Sequence, residues 1–174
     1  MKRSIKQITV TALGIGMYIV FTAVFRIPFF ENLYLAMGYV VLAVYSYSVG
    51  LVEAVLTGFL GTLMYCLLFS SVNGMPGWSL GNLLICGLLF FVFAWYRKTD
   101  KGIISTGITI ALIVAITALG IVGVKSIVEI FLYRQPFLVR VAKNAHAFVA
   151  DAITLVLGFF IARRTDKMIR SRLQ

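Results

Sequence analysis

AVLTGFLGTLMYCLLFSSVNGMPGWSLGNLLICGLLFFVFAWY, residues Ala54–Tyr96, is a run of 43 residues without one Asp, Glu, Lys or Arg. A helix needs about 20 mostly apolar residues to cross a hydrocarbon layer roughly 30 Å thick, because each residue rises about 1.5 Å. Forty-three residues are too many for one crossing and enough for two. The break falls at Asn73-Gly74-Met75-Pro76-Gly77, where glycine and proline together favour a turn. This stretch alone predicts a helical hairpin in a membrane.

Working outward, four more charge-poor stretches appear: Gln7–Phe25, Asn32–Val52, Gly102–Val124, and Asn144–Ala162, the last carrying His146 and Asp151. The expected fold is all-α. It is one membrane domain over residues 1–174, a bundle of six transmembrane helices near 5–25, 34–50, 52–71, 78–96, 103–132 and 139–162. The fifth is long and is stopped by Gln135-Pro136, since proline cannot continue a helix. The runs are continuously apolar and lack the ten-residue alternation of a barrel. Residues 26–34 read as an aromatic, proline-stiffened loop.

Composition agrees. Apolar residues make up 61% of the chain and charged residues 13%, with mean hydropathy +0.99. Globular chains are nearer half and a quarter. A soluble enzyme, a disordered tail and a disulfide scaffold are excluded. The net charge of +10 would suggest nucleic acid in a soluble protein. Here the basic residues flank apolar runs, as topology signals do. Lys2, Arg3 and Lys6, then Arg97, Lys98 and Lys101, then Arg163, Arg164, Lys167, Arg170 and Arg172 fall on one side of a six-span bundle. That side is expected to be cytoplasmic, with both termini there. The basic N-terminus lacks a small-x-small cleavage site before Arg26 and reads as a retained first helix.

No phosphate loop, GxSxG, HExxH or CxxC occurs, and there is one histidine. No catalytic residue, metal site or cofactor is expected, and the chain is not read as an enzyme. Cys66 and Cys86 read as small packing residues. The informative groups are polar side chains at membrane depth, which are costly unless paired or functional. Lys125 and Glu129 are four apart and share a helix face, either as an intrahelical ion pair or lining a cavity. Asn144 and Asp151, seven apart, share a face of helix six, and His146 points away from Asn144. Trp78 is either an interface anchor or a stacking face, and Asn82 offers donor and acceptor. Ala12 and Gly16 form a small-xxx-small seam, either packed internally or docked on another subunit.

Together these features resemble the substrate-binding S component of energy-coupling factor (ECF) vitamin transporters. They are the six-span size, the basic ends, the small residues of helix one, the Gly77-Trp78-Ser79-Leu80-Gly81-Asn82 stretch, and the series Lys125, Glu129, Asn144. The chain looks most like the riboflavin-type branch, which includes hydroxymethylpyrimidine- and pyridoxine-type members. The resemblance implies a subunit that captures a B-type vitamin outside a bacterial cell. It would dock on a membrane coupling subunit carrying two cytoplasmic ATPases and topple to release its cargo inside. The implied pocket is Trp78, Asn82, Lys125, Glu129, Asn144 and His146, with Phe29, Phe30, Asn32 and Tyr34 as lid and Ala12 and Gly16 as coupling interface. The short aromatic loops favour a hydroxymethylpyrimidine- or pyridoxine-like ring over riboflavin or pantothenate. The vitamin itself, its affinity, the sharing of the ATPases and the role of Asp151 are left open by the residues. The competing class is a stand-alone proton-coupled carrier.

Overall fold

A computed structural model describes residues 5–30, 33–69, 75–99, 102–134 and 136–173. The chain forms α1 (Ile5–Val24), a hairpin of β1 (Arg26–Phe30) and β2 (Leu33–Ala36), α2 (Gly38–Val44), α3 (Leu51–Phe69), α4 (Pro76–Lys98), α5 (Ile103–Thr117), α6 (Ser126–Tyr133) and α7 (Phe137–Leu173). Two wide π-helical segments interrupt the α geometry. Tyr45–Val49 extends α2, and Ala118–Lys125 joins α5 to α6.

Among the described residues five helical stretches are long and apolar enough to cross a membrane: Ile5–Val24, Leu51–Phe69, Pro76–Lys98, Ile103–Tyr133 and Phe137–Arg172. Their outward faces carry large apolar side chains such as Leu13, Leu67, Phe91, Ile104 and Phe131, the surface that a lipid solvent accepts. The expected second span differs. Gly38–Val49 is a shorter apolar helix, about 18 Å long at 1.5 Å per residue. Ten of its twelve residues are buried. A helix enclosed by its neighbours does not have to match the lipid thickness, and apolar residues all round it mark it as interior.

The stretch before that helix departs from an all-helical chain. Residues expected to form a loop pair antiparallel, with Arg26 opposite Ala36, Ile27 opposite Leu35, Pro28 opposite Tyr34 and Phe30 opposite Leu33. The register slips between Pro28 and Phe30, where proline has no N–H to give the ladder. Of the lid candidates, Asn32 and the side chains of Phe29, Phe30 and Tyr34 lie outside the described residues.

Helix ends follow local chemistry. Pro76 opens α4 after Met75, which adopts a left-handed conformation (φ 36°) and accepts the amides of Trp78 and Ser79 at 2.9 and 3.3 Å. α6 closes on Arg134, also left-handed (φ 49°), whose amide reaches Ile130 O at 2.9 Å. The sixth expected span ends at 162, but α7 runs on to Leu173. Arg170 Nε meets Asp166 at 2.7 Å one turn earlier and supports the extension.

The core is aromatic at one end of the bundle, where Tyr47, Phe93, Tyr96 and Phe159 pack with centroids 5.1–6.2 Å apart. Toward the other end it turns polar.

Candidate functional site

Glycines on α4 bring the fifth crossing close. A β-carbon on Gly81 would lie 2.7 Å from Gly120 O, and one on Gly77 would lie 2.9 Å from Lys125 O. Backbone therefore touches backbone along this seam. The π segment Ala118–Lys125 widens the helix there, and such bulges recur at functional sites. It also changes the direction of the side chains that follow. Lys125 ends the π segment and Glu129 lies in α6, so four-residue spacing does not pair them. Among the described residues the ion pairs are Arg140–Glu129 and Arg170–Asp166. The intrahelical Lys125–Glu129 pair weighed from the sequence is absent.

Lys125 turns inward instead. Its ammonium sits 5.6 Å over the Trp78 ring and acts electrostatically on Asp151 and Cys66. Trp78 Nε1 donates to the Tyr39 hydroxyl at 2.7 Å. Asp151 acts electrostatically on Tyr39. An indole N–H can only donate, so the Tyr39 oxygen accepts from Trp78. Tyr39 is fully buried and Asp151 is 7% exposed. Tyr65 meets Trp78 edge-on, centroids 5.8 Å apart. Lys125 has no hydrogen-bond partner among the described residues.

A second buried cluster lies alongside. Asn82 Nδ2 donates to Thr62 Oγ1 at 2.7 Å and to the Tyr18 hydroxyl at 3.2 Å. Thr62 gives its own hydrogen to Gly58 O at 2.7 Å. Both amide hydrogens of Asn82 are engaged, while its Oδ1 is buried without a partner, as is Ser79 Oγ. Such an oxygen in a closed interior costs about 1–3 kcal/mol unless something matches it.

Glu129 and Asn144, placed in one pocket by the resemblance, do meet, but their contacts are already made. Asn144 Nδ2 donates to Glu129 Oε2 at 3.1 Å and to Ser126 Oγ at 2.9 Å. Arg140 reaches the same Glu129 oxygen at 3.4 Å and lies 4.9 Å over Tyr133. This group ties α6 to the start of α7, and Lys125 is not part of it. His146 stays outside: it is exposed, with Nδ1 2.8 Å from Ala142 O on its own helix.

On α1, Ala12 and Gly16 are exposed, and nothing lies within 4 Å of a β-carbon on Gly16. Gly14 is the inward glycine, where a β-carbon would meet Tyr45 at 2.5 Å and Thr57 Oγ1 at 2.6 Å.

The family model described as "ECF-type riboflavin transporter, S component" matches residues 2–163. The chain belongs to this family. A search of curated proteins returned no match. As an S component it is the substrate-binding membrane subunit of a vitamin transporter that works with an ECF module, and not an enzyme. Tyr18, Tyr39, Thr62 and Tyr65 are the polar residues of this S component that sequence reasoning did not single out. A hydroxyl in an otherwise apolar run was the available signal, but tyrosine at an interface gives the same signal.

Proposed function

We propose that this S component captures a B-type vitamin in the half of the bundle that holds Trp78, Lys125 and Asn82. The ligand sits between α4, the π segment and α7. One observation carries the reading: α4 and the end of the π segment that packs on it bear groups with no hydrogen-bond partner among the described residues. They are the Lys125 ammonium, Asn82 Oδ1 and Ser79 Oγ. A flat heteroaromatic ring with donors and acceptors on its edge would satisfy them. In this reading Trp78 packs against the ring, Lys125 donates to it and Asn82 Oδ1 accepts. Asn144 is held by Glu129 and Ser126 and offers its remaining carbonyl oxygen. The 26–36 hairpin covers the mouth.

We favour a hydroxymethylpyrimidine- or pyridoxine-like ring, because Tyr39, Tyr18 and Thr62 already engage much of the polar surface. Riboflavin is the second reading, and the printed family description favours it. The basic ends support an orientation with both termini cytoplasmic in a bacterial cell membrane, with Gly38–Val49 as a short sixth pass. The exposed Ala12–Gly16 groove supports docking of a coupling-subunit helix on α1. Transport then proceeds by toppling, driven by two partner ATPases.

The test is mass spectrometry of the purified chain for a co-purifying vitamin, followed by calorimetry with riboflavin, pyridoxine, hydroxymethylpyrimidine and pantothenate. The expected result is one tight ligand whose affinity falls 5- to 150-fold in Asn82→Leu, equivalent to about 1–3 kcal/mol. Binding of none of the four would refute the reading. Uptake by the chain alone, abolished by collapse of the proton gradient, would support a stand-alone carrier instead.

A further inference from the structure

Gly50 is extended (φ 178°, ψ 162°), so the π segment Tyr45–Val49 ends abruptly and leaves carbonyls without helical partners. Two arginines from distant helices meet one of them. Arg97 Nη1, near the end of α4, donates to Tyr47 O. Arg170 Nη2, in the extension of α7, donates to the same oxygen at 3.1 Å. Two groups bonded to one oxygen are held within about 6 Å of each other. Two guanidiniums at that distance repel, and water screens them only in part because both are half-sheltered.

A third cation completes the group. Arg163 lies 5.9 Å over the Tyr96 ring, and Arg97 lies 5.4 Å over Tyr47. Both rings pack on Phe159, so the three arginines surround one aromatic platform. Tyr47 feels Arg97, Arg163 and Asp166 together. One carboxylate meets these cations, Asp166, at 2.7 Å from Arg170 Nε. Glu53 is the other carboxylate at this end among the described residues. It folds over Gly50, with Oε2 2.4 Å from where a β-carbon there would stand, and forms no ion pair. Among the described residues three cations therefore face one acid, and most of their fifteen N–H donors have no partner there.

The depth of the group identifies its counter-ion. On α7 the turn before the group carries exposed apolar side chains, and of these Phe160 stands nearest the side that bears Arg163. Arg163, Arg164, Lys167 and Arg170 follow immediately. Apolar surface passes into basic surface within one turn, which is the boundary between acyl chains and headgroups. A soluble anion would have no reason to require that apolar apron.

We propose that Arg97, Arg163 and Arg170 form a binding site for the phosphate headgroup of an anionic phospholipid, whose acyl chains run down past Phe160. The lipid would neutralise the repulsion at Tyr47 O and fasten the extension of α7 to the ends of α2 and α4. The site stands apart from the vitamin cluster and does not depend on which vitamin binds.

The test uses the full chain in detergent, titrated with phosphatidylglycerol, phosphatidylcholine or inorganic phosphate while the unfolding midpoint is followed. Phosphatidylglycerol should raise the midpoint and phosphatidylcholine should not. Each surface cation contributes about fivefold to such binding. Arg97→Gln with Arg170→Gln should therefore weaken the phosphatidylglycerol response by about 25-fold. Should that double variant not fold, Arg163→Gln alone should weaken it by about fivefold. Asp166→Asn removes the competing acid and should tighten it. Equal response to both lipids, an unchanged response in the arginine variants, or an Asp166→Asn chain that binds no tighter would overturn the proposal. So would inorganic phosphate reproducing the effect, since the site would then serve a soluble anion.

Discussion

Tyr39→Phe removes one oxygen from a fully buried position and leaves the ring. That oxygen accepts from Trp78 Nε1 at 2.7 Å. The change leaves an indole N–H without this partner in a space a water cannot enter unless the packing opens. Hydrogen bonds between membrane helices average about 0.6 kcal/mol and reach about 1.7. An unmatched buried group costs about 1–3 kcal/mol. The second figure applies here, because Tyr39 is sealed inside protein and the unfolded chain can solvate Trp78 at an interface. A loss of about 2–3 kcal/mol is expected, read as lowered stability of the purified chain in detergent. A double-mutant cycle with Trp78→Phe separates the bond from the packing. If the bond is real, the two changes are non-additive by about 1 kcal/mol. Vitamin affinity should fall as well, since Trp78 loses its anchor. Additive effects with unchanged vitamin affinity would refute the network.

Arg140→Gln leaves buried Glu129 with Asn144 as its remaining side-chain donor, and unfolding should become easier by about 3 kcal/mol; adding Glu129→Gln should restore part of this, and a cycle with no recovery would show that the pair is not coupled. Gly81→Ala places a methyl 2.7 Å from Gly120 O and should cost about 1–3 kcal/mol. Gly123→Ala meets only Leu119 Cδ1 at 3.7 Å and should be tolerated, so equal losses in detergent unfolding would contradict the seam. Gly16→Leu fills open space on α1, so vitamin binding by the isolated chain should survive while ATP-driven uptake in reconstituted complexes falls; loss of both would place Gly16 in internal packing. With Cys66 and Cys86 buried, a thiol introduced by Lys143→Cys should react with an impermeant reagent from outside and one introduced by Lys98→Cys should not, and the reverse would invert the topology.

What the sequence determined by itself was the solvent. Runs of about 20 continuously apolar residues with basic ends have one physical outcome, because only helices and closed barrels satisfy every backbone group in hydrocarbon and a barrel strand would be shorter and alternate. The helical hairpin at 54–96, the stop at Pro136 and the shared end of Arg97 and Arg170 were legible from composition, spacing and charge, and the Glu129–Asn144 meeting only through the resemblance. The family resemblance was legible from the same residues. Tertiary structure alone decided the rest. A π segment is an insertion in a helix that leaves the apolar pattern intact, so nothing in Ala118–Lys125 announced that Lys125 would turn from Glu129 toward Trp78 and Asp151. The 26–36 hairpin was hidden because proline and aromatics read as loop until a partner strand is present. Nothing in the sequence singled out Tyr39, and only the burial of Gly38–Val49 placed its hydroxyl against the Trp78 indole. Local sequence records what each residue prefers; which unmatched polar groups face one another is set by helix rotations, and those are fixed only when the glycines of neighbouring helices meet.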